Sequence, residues 1–320
     1  MTKIDFFEQQ KRNNRKTLLL IVIFIFLLAA VGYAVDALYI GAPVPYATLI
    51  AVVVATANSA FSFYKGDSLV LFSLGAKRVD EAAATDLKTK QLINVVKEMS
   101  IAAGIPMPKV YIMQEDSPNA FATGRDADHA SVCVTTGLLD TMTREELQGV
   151  IAHEIAHIRN KDILTMTIVS ALLGAIVLIS DMARRVLFYG GGRRSRDSRG
   201  RGSSGGIVVL ILFVLAIIAP IIAKLMALAV SRSREYMADA GSVEFTRNPQ
   251  ALASALTKIA NHYDKVVDKA TDGTAHLFIS DPKSSALSSK EGKLAELFST
   301  HPPIRKRIEA LRAMGASIGA

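Results

Sequence analysis

The sequence predicts an α+β fold that is mostly helical, with a small β-sheet and about four transmembrane helices. Three observations lead to this prediction: four long apolar spans, separate segments that hold nearly all the charges, and helical and alternating patterns within those segments. The chain has 320 residues, of which 50% are apolar and 21% are charged. Disorder is excluded because disordered chains are poor in apolar residues. A disulfide framework is excluded because Cys133 is the only cysteine.

Four apolar spans have the length of transmembrane helices, since roughly 20 residues rising 1.5 Å each cross the hydrocarbon core. They are Thr17 to Val35, Ile40 to Tyr64, Ile163 to Ser180 and Ile207 to Val230. The alternative is that each is a buried core helix. That alternative is weak for the first two spans, which are long and uniform. It is stronger for the short third span and for the fourth, which contains Pro220 and Lys224.

The charges beside these spans predict their orientation. Basic residues precede the first span and none follows it in the next loop, so the positive-inside rule places the N-terminus in the cytoplasm. Each pair of crossings then returns the chain to that side. The predicted organisation is a basic cytoplasmic tail at 1–16, a two-helix hairpin at 17–64, a first domain part at 65–162, a second apolar hairpin at 163–230 and a second domain part at 231–320.

The linker at 184–206 disagrees with this simple topology. It carries seven arginines, yet four crossings place it outside the cell. Either the third and fourth spans do not fully cross, or the earlier helices override the charge bias. No aromatic residue lies among the five arginines between positions 193 and 201, so a flexible linker is favoured over an RNA-binding segment. The formal net charge of +8 lies mostly in this linker and in the tail, which indicates lipid contact and no nucleic acid partner.

The remaining segments predict a mixed domain. Residues Asp86 to Ala103 have helical apolar spacing, whereas Lys109 to Met113 and Ala130 to Val134 alternate as strands do. Asn119 to Gly124 lies between these two strands. The four segments together predict a small sheet with a helix beside it, and Cys133 is interpreted as a core residue on its strand.

One helix carries a candidate metal site. Thr143 and Glu146 form a capping box, which marks the helix start. His153 and His157 are four residues apart and therefore share one face of the helix, as two imidazoles that bind one metal ion must. Glu154 follows the first histidine, so the pattern is HExxH, which is typical of a zinc site with its general base. The alternative is an amphipathic helix with two surface histidines.

A third ligand is required, because catalytic zinc has three protein ligands and an open fourth position. The metzincin pattern is excluded, since Asn160 and Ile163 occupy its glycine and third-histidine positions. The fourth apolar span returns the chain to the same face just before Glu235. Asp239, one turn later, could then hydrogen-bond a ligand histidine. The alternative is that Glu235 is a surface residue paired with an arginine at position 232 or 234.

Four motifs in order, NAFATG, HEIAH, SRSREYMAD and THPPIRKRI, resemble the HtpX-type membrane zinc metalloproteases, which are relatives of the CAAX prenyl proteases. The resemblance covers nearly the whole chain. It implies a zincin-type, gluzincin-like metallopeptidase domain with one Zn²⁺ per subunit. The roles that it implies are zinc ligands for His153, His157 and Glu235, general base and proton shuttle for Glu154, support of a ligand histidine for Asp239, alignment of the substrate backbone for Asn119, oxyanion stabilisation for His301 and a position beside the substrate for Arg307.

The resemblance also implies a function. The expected activity is endoproteolysis of damaged or misassembled membrane proteins at the cytoplasmic face of a bacterial or archaeal plasma membrane, with the lipid bilayer as a second partner. Site-specific processing of the CAAX type is an alternative within the same class. A non-catalytic, zinc-stabilised membrane scaffold is an alternative from another class, although zinc binding alone does not require Glu154. For His301, the two prolines that follow it suggest a simple helix boundary as the alternative.

Overall fold

The computed structural model describes residues 6–36, 44–172, 232–261, 277–279 and 302–318. Helices dominate these ranges, and four short strands form one sheet. The elements are α1 (Phe6–Val35), α2 (Tyr46–Ser73), β1 (Lys77–Val79), α3 (Leu87–Ala103), β2 (Lys109–Met113), β3 (Ala120–Gly124), β4 (Ala130–Thr135), α4 (Thr136–Thr141), α5 (Arg144–Arg159), α6 (Asp162–Leu172), α7 (Arg232–Thr246), α8 (Pro249–Asn261) and α9 (Ile304–Ile318). Short 3₁₀ turns lie at Glu81–Ala83 and Ala127–His129.

The sheet has the strand order β1-β2-β4-β3. Strands β2 and β4 run parallel, while β1 and β3 run antiparallel to their neighbours. The predicted strand at Lys109–Met113 is confirmed to the residue, and the predicted strand at Ala130–Val134 is one residue longer. The NAFATG segment is itself a strand at the edge of the sheet, with Asn119 just before it. The prediction of a small sheet in a mostly helical domain is therefore confirmed.

Helix α5 is the centre of the core, between the sheet and α3 on one side and α7 and α8 on the other. Two glycines allow the close approach of its neighbours. A Cβ on Gly149 would lie 2.8 Å from the backbone N of Leu252 in α8, and a Cβ on Gly241 in α7 would lie 2.7 Å from the Ala156 Cβ. Helix α5 is thus buried on more than one side.

The opposite face of the sheet packs on the end of α2. Val70 and Leu71 of α2 join Phe121 and Cys133 in a second buried cluster, and Phe278 packs edge-on against Phe121 with ring centroids 5.1 Å apart. Cys133 is fully buried, as predicted for a core residue. Burial also raises the pKa of its thiol far above the usual range. The last turns of the apolar helix α2 are therefore part of the core beneath the sheet.

Within the described residues, α2 is the one helix long and apolar enough to cross a bilayer. The apolar part of α1, Thr17–Ala30, and helix α6 are shorter apolar stretches, and the fourth predicted span at 207–230 lies outside the described residues. The second span was predicted to end at Tyr64, but its helix continues to Ser73 because its last turns are held by the second core cluster. Four spans therefore stay a prediction.

Asp36 connects the first two helices. Its carboxylate accepts hydrogen bonds from the backbone N–H groups of Ala47 and Thr48, at 2.9 and 2.8 Å, and from the Thr48 hydroxyl at 2.7 Å. These N–H groups lie in the first turn of α2, where no intrahelical acceptor is available. The single acid between the two apolar spans therefore caps the second helix.

We expect Gly149→Ala to lower the free energy of unfolding by about 1–3 kcal/mol, because the added methyl group must displace the backbone of α8. Gly315→Ala is the matched control, since its Cβ would meet side-chain atoms and no backbone, namely the flexible Gln250 amide at 2.7 Å and Pro249 Cγ at 3.3 Å. Chemical denaturation of both variants in detergent measures the difference. Equal stability of the two variants would contradict the close approach at Gly149.

Candidate metal centre

Three side chains from two helices converge on one point. His153 and His157 project from α5, and Glu235 lies in the first turn of α7. The two Nε2 atoms are 3.2 Å apart, and the Glu235 carboxylate oxygens lie 3.8 Å from His153 Nε2 and 3.5 Å from His157 Nε2. Ligand atoms bound at 2.0–2.1 Å in a tetrahedral site are about 3.3 Å apart. The cluster therefore fits a small divalent ion.

The local sequence of α5 fixes the direction of its histidines. The Thr143 hydroxyl accepts the Glu146 N–H at 3.3 Å, and the Glu146 carboxylate accepts the Thr143 N–H at 2.8 Å, so the predicted capping box is confirmed. Glu146 also accepts hydrogen bonds from Ser254 and Lys258 of α8, both at 2.6 Å. These contacts hold the start of α5 against α8 and so restrict rotation of the helix that carries both histidines.

Neither alternative considered for the ligand residues agrees with the structure. The histidines are not on the surface, since His153 is fully buried and His157 is 5% exposed. Glu235 is 2% exposed and faces both histidines, so it is not a surface partner of an arginine. The sequence prediction that chain return would place Glu235 beside the HExxH helix agrees with this geometry.

Asp239 and Arg307 stand behind His153. The Asp239 carboxylate lies 3.0 Å from His153 Nδ1, on the ring edge opposite the cluster. Arg307 donates to both Asp239 oxygens, from Nε at 3.0 Å and from Nη2 at 2.7 Å, and donates from Nη1 to the Ile279 carbonyl at 2.9 Å. Burial opposes ionisation of Asp239, but the adjacent guanidinium outweighs it and holds the pKa of Asp239 below its usual range. Asp239 thus stays an acceptor for His153.

A second aspartate–arginine pair lies beside His157, on the side away from the ligand cluster, and the sequence analysis did not predict it. Asp162 lies 3.3 Å from His157 Nδ1, and the Arg234 guanidinium lies 3.7 Å from the other Asp162 oxygen. Asp162 reaches this position because α5 ends at Arg159 and Lys161 adopts a left-handed conformation, with φ of 58°, before α6 begins. The available signal was an acid just after the HExxH helix, at the junction with an apolar span.

Glu154 is 2% exposed and lies between the ligand cluster and the edge strand β3. Burial and the nearby Glu235 carboxylate raise the pKa of Glu154 to about 7, against the opposing effect of His157. The backbone N–H of Ala122 in β3 hydrogen-bonds this carboxylate. A carboxyl group with this pKa can both accept and release a proton near neutral pH.

The imidazoles have different proton affinities while they share this pocket. Burial and the positive charge of Arg307 lower the pKa of His153 to about 4. Burial also opposes protonation of His157, but its hydrogen bond to Asp162 and the Glu235 charge raise its pKa to about 9. Because metal-ligating imidazoles are neutral, occupation of the site by a metal ion displaces a proton from His157.

Asn119 begins the edge strand. Its backbone N–H donates to the Thr135 hydroxyl at 2.9 Å, and its side-chain oxygen accepts the Ala120 N–H at 3.0 Å. On the outer edge of β3, the Ile279 N–H already donates to the Ala120 carbonyl at 2.9 Å. The structure thus places Asn119 next to the first residue of the strand whose Ala122 contacts Glu154, and its role in aligning substrate stays a prediction.

Of the two remaining predicted site residues, only Arg307 lies among the described residues. His301 lies outside the described residues. Arg307 is 1% exposed, and its Nη1 lies 3.2 Å from a carboxylate oxygen of Glu235. Its predicted place near the site agrees with the structure, while contact with substrate stays a prediction.

The fold and this buried cluster, with a glutamate beside it, define the class of metallopeptidases that use an HExxH helix. The chain belongs to peptidase family M48, whose model matches residues 86–315. It is therefore a metalloprotease, a hydrolase of peptide bonds, and the resemblance found in the sequence is confirmed.

Individual relatives extend this result. A "Protease HtpX homolog" of Caldanaerobacter subterraneus subsp. tengcongensis is 48% identical over 254 residues, which cover 79% of this chain and 80% of the relative. The homolog of Streptococcus gordonii is 45% identical over 289 residues, covering 90% and 93%. The crystal structure of S. mikatae Ste24p matches with a TM-score of 0.50 and 16% identity over 95% of this chain. This match spans 66% of the Ste24p chain and concerns the fold alone.

We expect Asp162→Ala to weaken zinc binding about 10- to 100-fold, because His157 loses the partner that orients its ring. Competition with a chromogenic chelator measures the affinity in detergent. Asp140→Ala is the control, since Asp140 is an exposed partner of Lys88 remote from the cluster. If both variants hold zinc as the wild type does, Asp162 does not orient a ligand.

Proposed function

We propose that the chain is an integral-membrane, zinc-dependent endopeptidase. The observation that carries the proposal is the juxtaposition of His153, His157 and Glu235 within 4.8 Å, next to the buried Glu154. Two imidazoles and one carboxylate are a ligand set of catalytic zinc sites, which keep a fourth position open. Zinc bound there supplies a Lewis acid and lowers the pKa of water to about 7. One Zn²⁺ per subunit follows from the single cluster proposed here.

The remaining chemistry is assigned to side chains of this chain. We assign to Glu154 the removal of a proton from the attacking water and its delivery to the nitrogen of the leaving amine. A pKa of about 7 supports both steps, since the group must gain and lose the same proton in one cycle. Asp239 and Asp162 keep the two ligand rings oriented by accepting hydrogen bonds from their Nδ1 atoms.

Substrate contacts are proposed at the edge of the sheet. An extended peptide can add to an unpaired strand edge through main-chain hydrogen bonds. Among the described residues no strand pairs with the outer side of β3, although its Ala122 N–H bonds Glu154 and its Ala120 carbonyl accepts the Ile279 N–H. We assign alignment of the substrate backbone to the rest of this edge, with the help of Asn119. We assign oxyanion stabilisation to His301 from the resemblance. For Arg307 the described contacts favour orientation of Asp239 and Glu235 over direct contact with substrate.

The proposed location is a bacterial or archaeal plasma membrane, with the catalytic domain in the cytoplasm. Helix α2 supports membrane insertion, because it is apolar and leaves Ile50, Val53 and Phe61 exposed. The proposed organisation keeps four spans, with a basic tail at 1–16 and domain parts at 65–162 and 231–320. The proposed substrates are damaged or misassembled membrane proteins. This last step depends on the resemblance to HtpX-type proteases and on the position of the site beside α6.

Glu154→Gln tests the mechanism. We expect the variant to keep its zinc, since Glu154 is not a ligand, and to lose about 10²- to 10⁴-fold in cleavage rate. Zinc content by mass spectrometry and cleavage of casein in detergent, with and without chelator, give the two readouts. Glu98→Gln, on the exposed face of α3, is the control and should cleave normally.

The outcomes separate the candidate functions. Chelator-sensitive cleavage by Glu154→Gln at the wild-type rate would overturn the assigned general base. A wild-type protein that holds zinc but cleaves neither casein nor itself would favour the scaffold. Cleavage restricted to one prenylated C-terminal peptide would favour site-specific processing.

The four-span topology predicts that residues 190–206 lie outside the cytoplasm. Cysteines introduced there report their side by reaction with an impermeant maleimide, and the buried Cys133 gives little background. We expect labelling from the external side of intact cells. Labelling only after permeabilisation would show that the second apolar hairpin does not cross the bilayer, and a cysteine introduced into the tail at 1–16 is the cytoplasmic control.

A further inference from the structure

We propose that a basic cavity where α2 enters the soluble domain binds the phosphate of an anionic phospholipid. The cavity has a volume of about 240 Å³ and lies between the end of α2, the start of β2, the turn after β3, and α6. It is separate from the metal cluster, since no ligand residue lines it. This proposal depends on the membrane location proposed above but on no catalytic step.

Two helices change between apolar and polar sequence at the level of this cavity, and both contact α6 there. In α1 the apolar stretch begins at Thr17, whose hydroxyl lies 2.8 Å from the Thr165 hydroxyl in α6. In α2 the apolar stretch ends just before Gly66, where a Cβ would lie 3.1 Å from Thr167 Cγ2 in the first turns of α6. Thr167 itself lines the cavity. The cavity therefore lies at the boundary of the apolar layer that these helices define.

The length of the apolar part of α2 also places the boundary of the apolar layer at the level of the cavity. Residues 46–64 are uncharged, and 19 residues of helix span about 28 Å, close to the roughly 30 Å of a hydrocarbon core. Lys65 is the first charge after them and lines the cavity, as do the aromatic rings of Phe63 and Tyr64. Aromatic and basic side chains at this depth are typical of the level of lipid headgroups.

The cavity has an excess of positive charge. Lys65, Lys109 and Arg125 line it together with one acid, Asp67, which leaves two positive charges when His129 is neutral. Among the residues that the structure describes, neither lysine ammonium forms an ion pair. Two unneutralised lysines facing one cavity attract an anion, and the cytoplasmic leaflet presents anionic lipids to such groups.

Arg125 is held in place at the rim. Its guanidinium carbon lies 5.4 Å from the centre of the Tyr64 ring, and its Nη2 lies 2.7 Å from His129 Nε2. Its Nε also donates to Asp126 at 3.4 Å, so part of its charge is already balanced. The two lysines are therefore the main attraction for an anion, and Arg125 is a fixed donor beside them.

The size of the cavity favours a headgroup phosphate as its occupant. Sites for drug-sized molecules measure about 300–1,000 Å³, so this cavity suits a small polar group. The acyl chains of the same lipid can lie on the exposed apolar face of α2, which includes Phe61. An anionic headgroup should bind better than a zwitterionic one. Both carry a phosphate, but the cationic group of the zwitterionic headgroup is repelled by the positive charge of the cavity.

The test uses the delipidated full-length chain in detergent, titrated with fluorescent phosphatidylglycerol, phosphatidylcholine or inorganic phosphate. Each basic residue near an anionic surface contributes roughly fivefold in affinity, so Lys65→Gln with Lys109→Gln should weaken phosphatidylglycerol binding about 25-fold. Lys90→Gln with Lys97→Gln, on the exposed face of α3, removes the same charge elsewhere and should leave binding unchanged. Thermal unfolding checks that both double variants fold.

Equal binding of phosphatidylglycerol by the two double variants would overturn the proposal. Equal affinity for phosphatidylcholine would overturn the anionic selectivity, and full competition by inorganic phosphate at the lipid's own concentration would show a free-phosphate site. Casein cleavage on the same samples separates this proposal from the protease function. Lipid binding without cleavage leaves this inference standing, whereas cleavage without selective lipid binding removes it alone.

Discussion

The burial of charge around two histidines is the constraint on which the rest of the structure depends. Four acids and two arginines next to α5 are almost completely removed from water, and each buried charge costs several kcal/mol unless it is paired. Both arginines are paired with an aspartate, so with all four acids ionised and the histidines neutral two negative charges remain. A divalent cation between the histidines restores neutrality. Among the described residues, the buried charged side chains around the two histidines are Glu154, Asp162, Arg234, Glu235, Asp239 and Arg307.

The same constraint explains why distant parts of the chain must close on α5. The helix supplies two histidines and one glutamate, but their partners come from α6, α7 and α9. Gly149 and Gly241 have no side chain to keep α8 and α7 away, so Gly149 lies against the backbone of Leu252 and Gly241 against the Ala156 Cβ. A metal ion bound there would hold α5 and α7 together, and its loss would therefore loosen the fold as well as stop catalysis.

The sequence could predict what depends on spacing along one element. The capping box, His153 and His157 lie within one helix, and their geometry follows from its period. Glu235 could be predicted because the fourth apolar span brings the chain back to the side where the HExxH helix lies, just before this residue. The pair Asp162 and Arg234 was missed, because it depends on the left-handed turn at Lys161 and on the packing of α7, which no local pattern encodes. The end of α2 was also missed, since its core contacts outweigh hydropathy there.

Asp162 connects the catalytic centre to the proposed membrane part. Its side chain is beside His157, while its backbone begins α6, the first described turns of an apolar segment. Thr165, only one helical turn further, already contacts the start of the apolar part of α1. A rise of 1.5 Å per residue places Asp162, which contacts His157, about 5 Å along α6 from that boundary. In the proposed membrane orientation, a site at this depth would meet polypeptide segments as they leave the bilayer, as the proposed cleavage of membrane proteins requires.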